Sequence, residues 1–153
     1  MAPLLSDATR EALEGLLHHT FANPDLLWEA LQAPGARIVR FSDRLDTDGN
    51  KRLALLGDAC LRQSLVAEWL ETEHIRRAQN RISTVLANNY LAQVGQDLEL
   101  ERYINNNRCQ GSLISVGTMA TTVEALVGAV FLDSGMDSQV VQALARELGL
   151  GYS

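Results

Sequence analysis

The chain has 153 residues, a hydrophobic share of 46%, a charged share of 21% and a formal net charge of -6. That length suits one domain around a single core, and the balance is ordinary for a soluble globular protein. The acidic charge excludes a protein that holds nucleic acid by bulk attraction, so any RNA contact has to come from a local patch. No apolar run is expected to reach the roughly 18 residues that cross a membrane, so no membrane partner is expected. Cys60 and Cys109 are too few and too far apart for a disulfide or zinc framework, and Cys60 reads as a small buried hydrophobe. The first residues, Met1 to Asp7, lack the basic start and apolar core of a signal peptide, which makes cytoplasm or nucleus the expected compartment. A mitochondrial address stays open, with Asp7, Glu11 and Glu14 arguing against a typical basic presequence.

Apolar residues recur at spacings of three and four, and no segment alternates as a half-buried strand does, so the fold class is all-α. Ser6 or Asp7 can cap a first helix to about His18, with Leu13, Leu16 and Leu17 on one face. Asn23 is a good N-cap and Pro24 a good first residue for the next helix, Asp25 to Leu31. Pro34 and Gly35 end it, and Arg37 to Gly49 reads as a loop. Within that loop, Asp46-Thr47-Asp48-Gly49-Asn50 looks like the start of a calcium loop. It has Lys51 and Gly57 where such a loop needs Gly and Glu, so it reads as a turn and helix cap. Long helices are expected from about Asn50 to Glu71 and from Ile75 to Leu98. A loop then follows through Asn105, Asn106, Asn107 and Gly111. A very apolar helix from about Val116 to Asp133 and an amphipathic one, Ser138 to Leu148, complete the chain; Gly149 and Gly151 stop the last helix.

Two of these helices carry the chemistry. Asn50-Lys51-Arg52-Leu53-Ala54-Leu55-Leu56-Gly57-Asp58-Ala59 and Thr121-Thr122-Val123-Glu124-Ala125-Leu126-Val127-Gly128-Ala129 are apolar enough to be mostly buried, yet each holds one carboxylate, Asp58 or Glu124. A buried carboxylate without a partner costs about 2–7 kcal/mol even before ionisation, so each needs a partner, a proton or a metal. Lys51, Ala54 and Asp58 fall on one helix face, and Thr121 and Glu124 are one turn apart.

These segments resemble the ribonuclease III family, whose signature helix reads roughly Asn-Glu-Arg-Leu-Glu-Phe-Leu-Gly-Asp-Ala and whose later helix reads Asp-x-x-Glu-Ala-x-x-Gly-Ala-x-x-x-Asp. The opening also resembles it: His19-Thr20-Phe21, Asn23-Pro24 and Leu26-Leu27-Trp28-Glu29-Ala30-Leu31 follow the family's pattern, with Ala33-Pro34 replacing a common His-Ser pair. So does Leu91 to Leu100, similar to a family helix ending in a Leu-Gly-Leu-like turn. The likeness spans about residues 13–148 and implies a single endonuclease-type helical domain, without the double-stranded-RNA-binding domain that follows in bacterial enzymes. It also implies a homodimer built around the signature helix, with Leu53, Leu55 and Leu56 in a two-fold interface.

The family hydrolyses phosphodiesters with magnesium-type ions, which lower the pKa of a water and need oxygen ligands. By resemblance, Asp58 and Glu124 are the remaining metal ligands. Ala54 and Thr121 stand where two further carboxylates would be, and Lys51 replaces an acidic residue. The implied catalytic set is therefore Lys51, Asp58, Thr121 and Glu124, with no firm cofactor, and with magnesium or manganese only if nuclease activity survives. Lys51 either leans into the space opened by Ala54 or points to solvent. The arginines Arg76, Arg77 and Arg81 form one basic cluster and Arg37, Arg40 and Arg44 a second; the first reads either as an RNA-binding patch or as a solvated face paired with Glu71 or Glu73. His18, His19 and His74 lack metal-ligand spacing. The function that follows is a degenerate ribonuclease III-like domain acting as an RNA-binding or RNA-processing scaffold, with duplex RNA and ribonucleoprotein partners. The alternatives are an active metal-dependent double-stranded-RNA endoribonuclease, and a metal-free enzyme acting on a small molecule with the same pocket.

Overall fold

A computed structural model describes residues 5–36, 48–106, 109, 111 and 113–151. Most of the loop expected over Arg37 to Gly49, including Arg37, Arg40 and Arg44, lies outside them. The described residues form seven α-helices and one 3-10 turn, Leu100–Arg102; their only extended pairing is an isolated parallel bridge between Gln32 and Asn105. The fold is all-α.

Local capping chemistry sets the first two helices where the sequence suggests. Ser6 accepts the Thr9 amide to open α1 (Asp7–Leu17), and His18 ends it in a left-handed conformation, φ 51°. Asn23 accepts the Asp25 amide to open α2 (Pro24–Ala30), with Pro24 in the first turn, where its missing N–H costs nothing. The signature helix α3 (Lys51–Leu70) follows.

The helix expected from Ile75 to Leu98 is instead two, α4 (Ile75–Val85) and α5 (Asn88–Asp97). Between them Ala87 takes an extended backbone, ψ 146°. The cause is packing. Ala78 and Ile82 of α4 join a small cluster with Leu65 and Trp69, whereas Leu91, Ala92 and Val94 of α5 belong to the main core. Two cores in different places need a bend, and no Pro or Gly announces it. At the end of α5, Glu99 adopts φ 54°, so a side chain occupies a left-handed turn position that glycine fills without steric cost.

The apolar helix α6 (Val116–Asp133) is the centre of the molecule, packed by α2, α3, α5 and α7 (Ser138–Glu147). By length and composition α6 is apolar enough to cross a membrane, which corrects the sequence expectation on that point. Its apolar residues from Met119 to Val130 are buried against its neighbours, while Val116 at its start is exposed. The closest approach is to α3. A Cβ built on Gly57 would collide with the backbone carbonyl of Glu124, and one built on Gly128 with the carbonyl of Leu53. The absence of side chains at these two positions lets the backbones touch.

At its far end α6 anchors the turn between α1 and α2. The Asp133 carboxylate accepts the amides of Ala22 at 2.9 Å and Asn23 at 2.8 Å, and meets His19 Nε2 at 2.8 Å. Burial alone would raise its pKa, but the Asn23 and Ala22 amides together with His19 outweigh it and hold the carboxyl below its ordinary value.

Candidate functional site

Between Met119 and Val130 every residue of α6 is buried except Thr121 and Glu124, which are half-buried. One helical turn apart, they share a face. The Gly57–Gly128 contact sets that face beside Asp58, which follows Gly57 and is also half-buried. The family resemblance implies one region for Asp58, Thr121 and Glu124; the close backbone contact of α3 and α6 at Gly57 and Gly128 puts Glu124 within reach of the Asp58 charge, and Thr121 lies one turn from Glu124 on α6.

Half-buried beside another carboxylate, Glu124 is disturbed. Burial pushes the Glu124 carboxyl up to about 7, the neighbouring Asp58 charge adds to the rise, and Arg62 takes part of it back. Arg62, one turn beyond Asp58, has its Nη2 4.0 Å from Asp58 Oδ1. Sequence reasoning missed Arg62, although its i,i+4 spacing from Asp58 was a usable signal. It attended instead to Lys51, which is exposed at the first turn of α3 and makes no ion pair with either carboxylate. Of the two placements read for Lys51, the solvent-facing one is found.

A carboxyl raised by folding has its favourable contribution in place below its unfolded pKa, and loses it as pH rises through the folded value. Glu124 should therefore make the fold less stable as pH climbs from about 4.5 to about 7. Glu124→Gln is expected to remove that slope and to raise stability at pH 8 by about 1–2 kcal/mol, discounted for partial exposure. Asp133 works in the opposite sense, its lowered pKa costing stability as pH falls through the folded value. Urea unfolding across pH checks both, and an unchanged pH profile in Glu124→Gln would contradict the assignment.

Asp58 and Glu124 are the carboxylates described in this region that could hold a hard divalent ion. Among the described residues no three His, Cys, Asp or Glu side chains come together as a metal site. Ala54 has no donor atom and Thr121 offers at most an uncharged hydroxyl, whereas such ions are held chiefly by carboxylate and other oxygen ligands. Among the described residues the region presents two carboxylates and the Arg62 guanidinium.

Other predicted residues are placed as follows. Leu53 is only 1% exposed and belongs to the core of its own chain, which corrects its assignment to an interface. Leu56 is half-buried against the same core, while Leu55 is 77% exposed. Helix geometry explains the split, because residues two apart point to nearly opposite sides. Arg77 and Arg81 pair with Glu73, as one reading of that cluster had it, while Arg76 is exposed. His74 accepts the Arg76 amide as an N-cap.

Some residues that support the start of α3 had no sequence signal. Asn50 is fully buried and caps nothing with its side chain. Its amide donates to the Ala30 carbonyl at 2.8 Å and to Thr122 Oγ1 at 3.3 Å, tying α2 and α6 to the entry of α3. Glu29, 2% exposed, pairs with Arg52 at 2.6 Å.

The family model described as Ribonuclease-III-like matches residues 40–149. The chain belongs to this family. Ribonuclease 3 of Pseudothermotoga lettingae is 33% identical to it over 128 residues, covering 77% of this chain and 52% of the relative. Ribonuclease 3 of Wolbachia pipientis wMel is 25% identical over 134 residues, covering 84% and 57%. The chain thus spans a little over half the length of the curated relatives it matches. The nuclease domain of ribonuclease III from Campylobacter jejuni superposes with a TM-score of 0.75 at 21% identity, over 90% of this chain and 94% of that one, and shows the same fold.

Proposed function

We propose that this chain is a ribonuclease III-like domain that has kept the frame of the family and lost most of its metal chemistry, acting as an RNA-binding or RNA-processing scaffold. The observation that carries the reading is the pair of half-buried windows on α6, of which one holds Glu124 and the other Thr121, facing an α3 whose only carboxylate there is Asp58. Hydrolysis through such ions depends on a water of lowered pKa and on charge stabilisation at both reacting oxygens. Two carboxylates, one of them titrating near neutrality, are a poor substitute for four. Incubation of the protein with long duplex RNA and magnesium or manganese is expected to give no cleavage above background. Robust cutting that disappears in Glu124→Gln would establish instead an active endoribonuclease, the activity that the names of its curated relatives suggest.

The reading includes a homodimer through the exposed side of α3. Leu55 and Leu70 stand exposed at its two ends, and the Campylobacter jejuni nuclease domain has a region involved in dimer formation. Leu55→Asp is expected to convert a dimer into a monomer in light scattering, because a charge would enter a desolvated interface. A wild-type chain that is monomeric at tens of micromolar, an order-of-magnitude concentration for standard-size interfaces, would contradict it.

A further inference from the structure

The basic cluster on α4 is not simply a solvated face. Arg77, Asn80, Arg81, Thr84 and Val85 line one shallow, open groove of about 280 Å³ along α4, where the Thr84 hydroxyl donates to the Asn80 carbonyl at 2.9 Å. Beneath them sits Glu73, in the turn between α3 and α4, with its side chain only 10% exposed. One oxygen of Glu73 meets Arg81 Nη1 at 3.0 Å, and the other lies 3.7 Å from Arg77 Nε. A single, largely buried carboxylate therefore hydrogen-bonds Arg81 and attracts the largely exposed Arg77 by charge. Arg81 is also supported from below by the buried ring of Trp69, 5.2 Å from its guanidinium carbon. That cation–π contact keeps its stem in place whichever anion it faces.

From this arrangement we infer that Glu73 is an internal competitor for the phosphate backbone of RNA, occupying the arginines of the α4 groove until a phosphate displaces it. The inference rests on the RNA-binding reading above and adds how that binding is restrained. A phosphate oxygen can accept from the same guanidinium N–H groups as a carboxylate, so a phosphate that takes up Arg81 Nη1 does so in competition with Glu73. The cost is the separation of Glu73 from its partners, which a buried carboxylate feels strongly. In a chain of net charge -6, such a restraint keeps weak anions off the groove while permitting a polyanion that supplies several phosphates at once. RNA is favoured over an acidic protein because phosphate contacts release counterions along a regular backbone, and because the groove runs along one helix face.

The test compares two charge-neutral replacements, Glu73→Gln and Glu71→Gln, in the full chain. Both change net charge equally, but Glu71 is exposed outside the groove. Binding of duplex RNA, single-stranded RNA and polyglutamate is measured against salt, with circular dichroism confirming that each variant is folded. Glu73→Gln should tighten RNA binding by about fivefold or more over both wild type and Glu71→Gln, and should steepen the dependence of log affinity on log salt by roughly one unit per phosphate gained. Equal effects from the two variants would overturn the competitor role while leaving RNA binding standing. No RNA binding by any form, including Glu73→Gln, would remove the RNA-binding reading itself. Preferential gain for polyglutamate would show that the groove serves an acidic protein. Arg81→Gln in the Glu73→Gln background should cancel the gain; its persistence would also contradict the proposal.

Discussion

Gly57→Ala and Gly128→Ala are each expected to unfold the protein or to cost about 4 kcal/mol or more of stability, the range reached only when backbone is forced apart or a core is broken. Neither methyl has room. At Gly57 the added carbon would fall on the carbonyl of Glu124, and at Gly128 on that of Leu53, and main-chain atoms cannot rotate out of the way as a side chain can. Separating α3 from α6 would open the main core at its densest place and draw Asp58 away from Glu124. Gly15 and Gly117 supply the contrast, since a Cβ there meets nothing within 4 Å. Alanine in the interior of α1 at Gly15 should be neutral or stabilising by roughly 0.5–1 kcal/mol, because it lowers the backbone entropy lost on folding. Denaturant unfolding of the four variants would decide the matter. Similar stabilities for Gly57→Ala and Gly15→Ala would show that the two helices are not in backbone contact.

The second large effect is a gain. Lys51→Glu, Ala54→Glu and Thr121→Asp together would return carboxylates to the positions where the family resemblance expects them, around the surviving Asp58 and Glu124. Divalent-ion affinity should rise by about 100-fold or more, since even disturbing the partners of metal ligands moves affinity about 10–100-fold. Thr121 already shares the half-buried face of Glu124, so Thr121→Asp needs no rearrangement of α6. Ala54 is buried, so a glutamate there should weaken the fold without metal and make its thermal midpoint depend on manganese concentration. A folded triple variant that gains no metal affinity would refute the correspondence of these positions to the family pocket.

Much of this was legible in the sequence, for identifiable reasons. Caps such as Ser6 and Asn23 act on amides two or three residues away, and α6 announces itself by an apolar run, so their bounds could be read locally. The division of α4 from α5 could not, because Leu86 and Ala87 carry no intrinsic break and only the separate destinations of Ile82 and Leu91 impose one. At the site, spacing put Thr121 and Glu124 on one face of α6, and only the family resemblance joined Asp58 to them. The choice between Lys51 and Arg62 as the neighbouring cation depended on which way each side chain leaves α3, and the first turn of that helix is open to solvent. Leu53 and Leu55 show the same limit from the other side: the family resemblance put both in an interface, and the two-residue offset sends one inward and the other out. Glu73 was read as one of two candidate partners for the arginines. Its burial, which makes it a competitor more than a surface charge, belongs to the fold.

Titration calorimetry of the wild-type chain with manganese or magnesium tests the central claim most directly, because the proposed scaffold function rests on a weakened metal site at Asp58 and Glu124. With two carboxylates and, among the described residues, no third acidic, His or Cys ligand grouped with them, no saturable heat is expected at low-micromolar ion. Saturable binding in that range, abolished by Asp58→Ala, would contradict it.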